Sequence, residues 1–403
     1  MTDQVGERER RGFAARVSML FAAVFVVGGT NTPFMPMWLD WRGLAPSEIA
    51  AVMAAPLFVR VLVTPAIAFA ADRAGDHRRF LIGLSWGGLG ALLALSQSSG
   101  FWPILFWTLL FALAWTTIMP LTETVAMSGV KAAGLDYGRM RLWGSLSFIL
   151  ATFCGGWAVD RLGAACAVWL VVLGAVLTTI AAHMLARPIG LWRLKAATSP
   201  PRLELADAIG LLRSRVFLIF LLAVGAVQAA HAVFYTFGTL HWREQGLSAG
   251  TAGALWAIGV IAEIGLFAYS AAVLRRLGAT QLIMLGAAAA MLRWLAMGFD
   301  PSLAWLIVLQ IAHGLTYGAT HIGAIHFMAR TLPESQIGTA QALYASVTGG
   351  IAMGAAMLVA GPLYAAYGGH AYWAMTLLAG AGLAAAVALM RMPPVAPEDQ
   401  PQS

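Results

Sequence analysis

Twelve stretches of this chain are continuously apolar: residues 17–38, 46–71, 79–98, 102–128, 138–160, 164–186, 214–240, 249–275, 280–298, 302–330, 336–364 and 370–391. None alternates apolar and polar positions with the period of two that a half-buried strand needs, so the pattern predicts helices. Each is close to or above the roughly twenty residues that cross a hydrocarbon core about 30 Å thick. Short polar turns join them, except at residues 187–213. That segment, RPIGLWRLKAATSPPRLELADAIGLLR, is rich in charge and proline and lies at the middle of the chain. Such punctuation marks a linker. The expected fold is an all-α membrane protein of twelve transmembrane helices in two six-helix halves. Its parts are a tail over 1–16, a half over 17–186, the linker 187–213, a half over 214–391 and a tail over 392–403. A weak repeat agrees: ADRAGDHRR (71–79) follows the second helix and LRRLGATQ (274–281) the eighth, each setting arginines beside a glycine. Two such halves with a polar cleft between them form an architecture that binds substrate near the midplane and rocks.

Composition sharpens this picture. Of 403 residues, 60% are hydrophobic and only 11% charged, with a mean hydropathy of +0.77. A soluble domain keeps roughly a quarter of its residues charged. Most of the surface must face lipid, where backbone groups are satisfied internally and helices serve that need. The net charge of +7 would suit a nucleic-acid partner, but its placement excludes one. With the N-terminus inside, Arg8, Arg10, Arg11, Arg16, Arg73, Arg78, Arg79, Lys131, Arg139, Arg141, Arg187, Arg193, Lys195, Arg202, Arg213, Arg215, Arg275, Arg276, Arg330 and Arg391 fall on the cytoplasmic side. The outer loops hold Arg42, Arg161 and Arg243. This bias predicts a multi-pass inner-membrane protein with both termini cytoplasmic. Trp38, Trp41, Trp102, Trp242 and Trp305 fall near the outer helix ends, where aromatic belts sit. The first apolar run lacks a small-residue cleavage site, so no signal peptide is read. Cys154 and Cys166 flank the short loop between the fifth and sixth helices; they read as two small hydrophobes rather than a disulfide.

Charges inside the apolar runs are few. A charge at a helix centre costs about 2.5 to 3.5 kcal/mol on insertion scales, so each is a functional candidate. Away from the helix ends they are Arg60, Glu123, Glu263 and Arg293, with Arg141 about one turn into the fifth helix. Glu123 and Arg141 are equidistant from the turn between the fourth and fifth helices, and Glu263 and Arg293 from the turn at Gly278. Equal distance from a hairpin turn means similar depth, so each couple is placed to pair, either facing a common cavity or bracing its hairpin. Arg60 has no acid at matched depth and is the cation best placed to hold an anionic group. His313, His321 and His326 lie on the tenth helix, and His231 lies on the seventh, one turn before Tyr235. Histidine carries protons near neutral pH. His231 and Tyr235 are read as cavity-lining, His321 and His326 as structural. No carboxylate or cysteine accompanies these histidines, so no metal is expected. In the first helix, GGTNTPFMP (28–36) reads as a helix interrupted by glycine and proline, which puts Asn31 at a candidate cavity.

No enzyme motif emerges: there is no GxSxG, P-loop, HExxH or CxxC. No cofactor is expected. The largest loop is too short for a nucleotide-binding domain, so the energy source is a gradient.

At PLTETVAMSGVKAAGLDYGRMRLWGSLSF (120–148) the chain resembles the major facilitator superfamily, and within it the phenylpropionate permease family, relatives of the lactose/proton symporter. The likeness extends over nearly the whole chain through QAAHAVFYTF (228–237), LWAIGVIAE (255–263), MLRWLAMG (291–298) and LIVLQIAHG (306–314). In the turn after the second helix, Asp72, Arg73, Gly75, Arg78 and Arg79 fit the superfamily's gating-loop signature, while Ala68 stands where glycine is usual. The resemblance implies proton-coupled import of a small organic solute by a monomer. It assigns substrate binding to Glu123 and Arg141, which stand at the symporter's substrate-binding positions. Glu263 and Arg293 match its later acidic and basic partners, and His313 matches its coupling histidine. Two departures are evident: Thr316 replaces the coupling carboxylate three residues after His313, and Phe148 replaces the sugar-stacking tryptophan. The first moves proton coupling to Glu263 or Glu123. The second weakens a sugar reading and suits an aromatic or apolar solute; with the family resemblance it implies an aromatic carboxylate such as 3-phenylpropionate. The competing readings are a proton-driven exporter of lipophilic compounds, a sugar or nucleoside symporter, and a non-transporting membrane receptor.

Overall fold

The computed structural model describes residues 6–185 and 205–392. Arg187, Arg193, Lys195 and Arg202 of the expected linker, and the tail from 393, lie outside those residues. Every apolar run is helical. They are α1 (Glu7–Trp41), α2 (Pro46–Ala74), α3 (His77–Gln97), α4 (Phe101–Ala133), α5 (Tyr137–Leu162), α6 (Ala164–Met184), α7 (Arg215–Glu244), α8 (Ala249–Ala268), α9 (Ala279–Met297) and α10 (Leu303–Thr331). A last apolar helical run, Glu334–Met390, has 57 residues. At 1.5 Å per residue it would reach about 85 Å, far more than one crossing. Gly368, with φ +53, breaks it at a single 3-10 turn, giving α11 (334–367) and α12 (Ala371–Met390). Among the described residues these twelve long apolar helices make a multi-pass membrane protein.

The turns are fixed by capping chemistry. α2 starts with Pro46 in its first turn and the Glu48 carboxylate accepts the Ala45 N–H at 2.9 Å. It stops at Gly75, whose φ of +66 suits the left-handed end of a helix. Asp72 pairs with His77 across that turn at 2.7 Å, and Asp76 caps α3 by accepting the Arg79 N–H at 3.0 Å. Arg78 donates to the carbonyls of Leu185 at 2.8 Å and His183 at 3.0 Å, which ties the turn to the end of α6. Arg73 is exposed. The corresponding turn before α9 is closed by Gln281, which accepts the Gly278 N–H at 2.9 Å.

The chain forms two compact units: residues 1–197 with 236–257, and 198–235 with 258–403. In the first, α1 is central and packs along α5 and α6. Small residues set the spacing, as expected where lipid supplies no hydrophobic drive. A Cβ on Gly29 would lie 2.8 Å from the Phe148 carbonyl, and one on Gly174 only 2.7 Å from Val27. α1 runs unbroken through Pro33 and Pro36, so the expected interruption at 28–36 is absent. It also begins at Glu7, ahead of the apolar run, because charged residues that need no lipid contact still favour helix. Trp38 and Trp242 are fully buried rather than in a belt, whereas Trp41, Trp102 and Trp305 are exposed. Cys154 and Cys166 are free thiols.

This unit also carries a close seam between α5 and α8. A Cβ on Gly156 would strike the Ala249 carbonyl, and one on Gly253 the Thr152 carbonyl. Beyond the glycines, Asp160 accepts the backbone N–H groups of Ala249 and Gly250, each at 2.7 Å, and Arg243 Nη1 lies 3.3 Å away. A side chain of α5 therefore caps the N-terminus of α8, where a carboxylate is favoured. In the second unit α9 packs on α10 and α12, and α12 on α7.

Candidate functional site

Each unit gathers its own polar cluster. In the first, Glu123 of α4 is half-buried and Arg141 comes from the second turn of α5. Tyr137, one turn ahead of Arg141, shares side-chain hydrogen bonds with both. Arg141 and Arg60 both lie within electrostatic reach of Glu123. The Arg141 guanidinium sits 4.0 Å from the Phe25 ring centre and 5.8 Å from that of Phe21, close enough for attraction to the ring faces. Tyr137 meets Phe21 edge-on at 6.2 Å. Arg60 is exposed on α2. Phe148, half-buried on α5, rests its ring against Gly28, with Cδ2 3.6 Å from where a Cβ would stand. Asn31 is half-buried on the same helix as Gly28. The structure brings Glu123, Arg141 and Arg60 together. It adds Tyr137, which spacing alone did not single out, although a position four residues before Arg141 shares its helix face.

In the second unit Arg293 of α9 is 1% exposed. Its Nη1 donates to His313 Nδ1 at 3.0 Å and to Thr316 Oγ1 at 3.2 Å; its Nη2 donates to Gln310 Oε1 at 3.2 Å. All three acceptors are neutral side chains of α10. The guanidinium carbon lies 4.4 Å from the Trp294 ring and 4.9 Å from the Phe234 ring. His231 of α7, fully buried, reaches Thr316 Oγ1 through Nε2 at 3.0 Å and the carbonyls of Val227 and Gln228 through Nδ1 at 3.0 and 3.2 Å. Tyr235 stacks on His231 at 5.5 Å. Glu263, half-buried on α8, runs beside Gly318 of α10, with its Cγ 3.6 Å from where a Cβ would be. The glycines at 314 and 318 let α8 lie directly on α10 there.

Hydrogen-bond polarity fixes the protons in this cluster. Arginine only donates, so His313 Nδ1 must accept and its proton sits on Nε2. Backbone carbonyls only accept, so His231 carries its proton on Nδ1 and receives the Thr316 hydroxyl at Nε2. Gln310 must present oxygen to Arg293. Three buried donors, Arg293 Nε, Trp294 Nε1 and Gln310 Nε2, meet no acceptor among the described residues. A buried donor without an acceptor costs about 1 to 3 kcal/mol. The site is thus rich in donors, carries one buried cation and is walled by aromatic rings. That combination complements an anion attached to an apolar or aromatic body. Gln310 and Thr316 escaped the sequence reading as functional because neither bears a charge.

The chain is similar to known membrane transporters. The MFS_1 like family profile matches residues 15–375. A probable 3-phenylpropionic acid transporter of Escherichia coli is 32% identical over 87% of this chain and 91% of its own length. The maltose permease of Geobacillus stearothermophilus is 28% identical over 89% and 90%. The crystal structure of the nucleoside transporter NupG superposes with a TM-score of 0.81 at 19% identity, covering 94% of this chain and 98% of that one. At that identity the match speaks for the fold alone.

Proposed function

The chain belongs to the MFS_1 like family, a family of membrane transporters rather than enzymes, and from that premise we propose that it imports a small aromatic carboxylate of the 3-phenylpropionate type together with a proton. The observation that carries the substrate class is Arg293. It is buried, its hydrogen bonds go to neutral acceptors only, aromatic faces flank it, and unmet donors surround it. A carboxylate would complete that charge and accept those donors, while its ring would lie against Phe234 or Tyr235. The 32% identical relative, named for 3-phenylpropionic acid, points the same way. In this reading Arg60 and Arg141 draw the anion toward the first unit's cluster, and Asn31 and Phe148 line it. Glu123 and Glu263 are the acids beside the two clusters, His313 is committed as an acceptor to Arg293, and Asp72, Arg73, Gly75 and Arg78 form the gating turn. Both termini are cytoplasmic and the protein works as a monomer. One co-transported proton contributes about 2.3 kcal/mol per 100 mV of membrane potential.

The test is uptake of labelled 3-phenylpropionate into proteoliposomes, with and without an imposed inward proton gradient. Gradient-dependent accumulation is expected, and competition by unlabelled nucleoside or maltose is not. Accumulation indifferent to the gradient would refute proton coupling, and competition by nucleoside would refute the carboxylate. Tyr137→Phe provides a local check. A hydrogen bond to a charged group contributes about 1.5 to 3 kcal/mol, so losing the phenol is expected to raise KM about tenfold or more with expression unchanged.

A further inference from the structure

Three histidines of the second unit lie within the polar cluster or beside it: His231, His313 and His321. Two are committed by their hydrogen bonds. A proton on His313 Nδ1 would set two N–H donors head to head, 3.0 Å apart, against Arg293. A proton on His231 Nε2 would leave two cations sharing one hydroxyl oxygen, since Thr316 Oγ1 is 3.0 Å from His231 and 3.2 Å from Arg293. His321 is different. It is half-buried, two turns further along α10, about 12 Å at 1.5 Å per residue. Its Nδ1 lies 3.0 Å from the Tyr344 hydroxyl. A phenol both donates and accepts, so neutral imidazole can receive the Tyr344 proton and imidazolium can donate to its oxygen. Tyr344 also hydrogen-bonds the Gln228 side chain, an amide with both an acceptor and donors, so the phenol keeps a second partner in either state.

We propose that His321, with Tyr344 as its partner in both charge states, is the residue that exchanges the coupled proton. The proposal rests on the proton-coupled reading above and fills the place left by Thr316, where the coupling carboxylate of the resembled symporter is missing. Tyr317 stacks between His313 at 5.7 Å and 18° and His321 at 6.1 Å and 15°. Events at Arg293 and His321 therefore share one packed column of rings. The charged or titratable groups facing this stretch are His231 and Tyr235 from α7, Glu263 from α8, Arg293 from α9 and Tyr344 from α11, with His313 and Tyr317 on α10 itself. Glu263, beside Gly318 one turn before His321, is the acid among them. Arg293 is the cation and lies at the far end of the column. On this view protonation of His321 occurs without disturbing the Arg293 hydrogen bonds, so the proton and the anion load at separate points of one element.

The experiment uses the full chain in proteoliposomes and compares wild type, His321→Asn and Tyr344→Phe. Gradient-driven accumulation of labelled 3-phenylpropionate is measured beside exchange of labelled for unlabelled substrate without a gradient. His321→Asn is expected to reduce accumulation to the gradient-free control while exchange continues at the wild-type rate. Tyr344→Phe is expected to shift the pH profile of accumulation and leave exchange intact. Retained accumulation in His321→Asn overturns the assignment. So does loss of exchange, which would mark His321 as a packing or substrate-binding residue. A wild type that never responds to the gradient refutes the transport reading instead. In that case imidazole NMR of the detergent-solubilised protein still decides: a resonance that titrates with pH and vanishes in His321→Asn is expected, and its absence overturns the assignment.

Discussion

Arg293→Lys is expected to abolish substrate accumulation even though the positive charge remains. The guanidinium engages His313 and Thr316 through one nitrogen and Gln310 through another. An ammonium is a point charge on a flexible stem and cannot span that fork. It would leave Gln310 or His313 unmet in a buried site, where Trp294 Nε1 and Gln310 Nε2 already lack acceptors among the described residues. Each hydrogen bond to a charged group contributes about 1.5 to 3 kcal/mol; losing two corresponds to a fall in substrate affinity of about a hundredfold or more. Arg293→Met should fail at least as completely in transport; it removes the buried charge but leaves the Gln310, His313 and Thr316 acceptors without their donor. Binding of 3-phenylpropionate by calorimetry, read beside thermal unfolding in detergent, separates the two effects. If Arg293→Lys binds within twofold of wild type, the anion is held elsewhere, and Arg60 or Arg141 becomes the site to examine.

How much of this was visible in the sequence depends on the kind of feature. Helix number was legible because an apolar run of about twenty residues has one physical meaning in a membrane. The clustering of Glu123 with Arg141 was legible for a similar reason, since equal chain length from a turn gives equal depth. Which face a residue presents was less so. Trp38 and Trp242 stand at helix ends like Trp41 and Trp305, yet the first two are buried and the others exposed; position along a helix does not state rotation about it. The stacked column on α10 was hidden for a different reason. Positions 313, 317 and 321 drift around a regular helix by about 40° per step at 3.6 residues per turn. The backbone winds as a wider π turn over Gly314–Ala319, which removes part of that drift and brings the rings into line. Such turns recur at functional sites, but nothing in GLTYGA declares one. The interruption expected over 28–36 is absent because α1 continues through Pro33 and Pro36, as membrane helices tolerate proline where surrounding groups re-satisfy the freed backbone.

The seam between α5 and α8 carries the second large effect. Gly253→Val is expected to stop gradient-driven uptake and to expose α5, because its Cβ would collide with the Thr152 carbonyl, a backbone atom that cannot rotate away. Overpacking of this kind costs about 1 to 3 kcal/mol, and here separation of the two helices is the available relief. Separation would pull Ala249 and Gly250 from Asp160, whose two 2.7 Å bonds hold the start of α8. Asp160→Ala attacks the same junction from the other side. It leaves the α8 N-terminus without its carboxylate cap, at about 0.5 to 2 kcal/mol, while the glycine contact remains. The two variants should therefore rank, with Gly253→Val opening the seam fully and Asp160→Ala only in part. A cysteine placed at Thr152, in a background with Cys154 and Cys166 changed to serine, reports on this directly. Thr152 is fully buried, so its alkylation by N-ethylmaleimide should be slow in the parent, intermediate with Asp160→Ala and fast with Gly253→Val. Equal and slow labelling in all three would mean that the seam yields by local side-chain adjustment, and that α5 and α8 need not part there for the transporter to work.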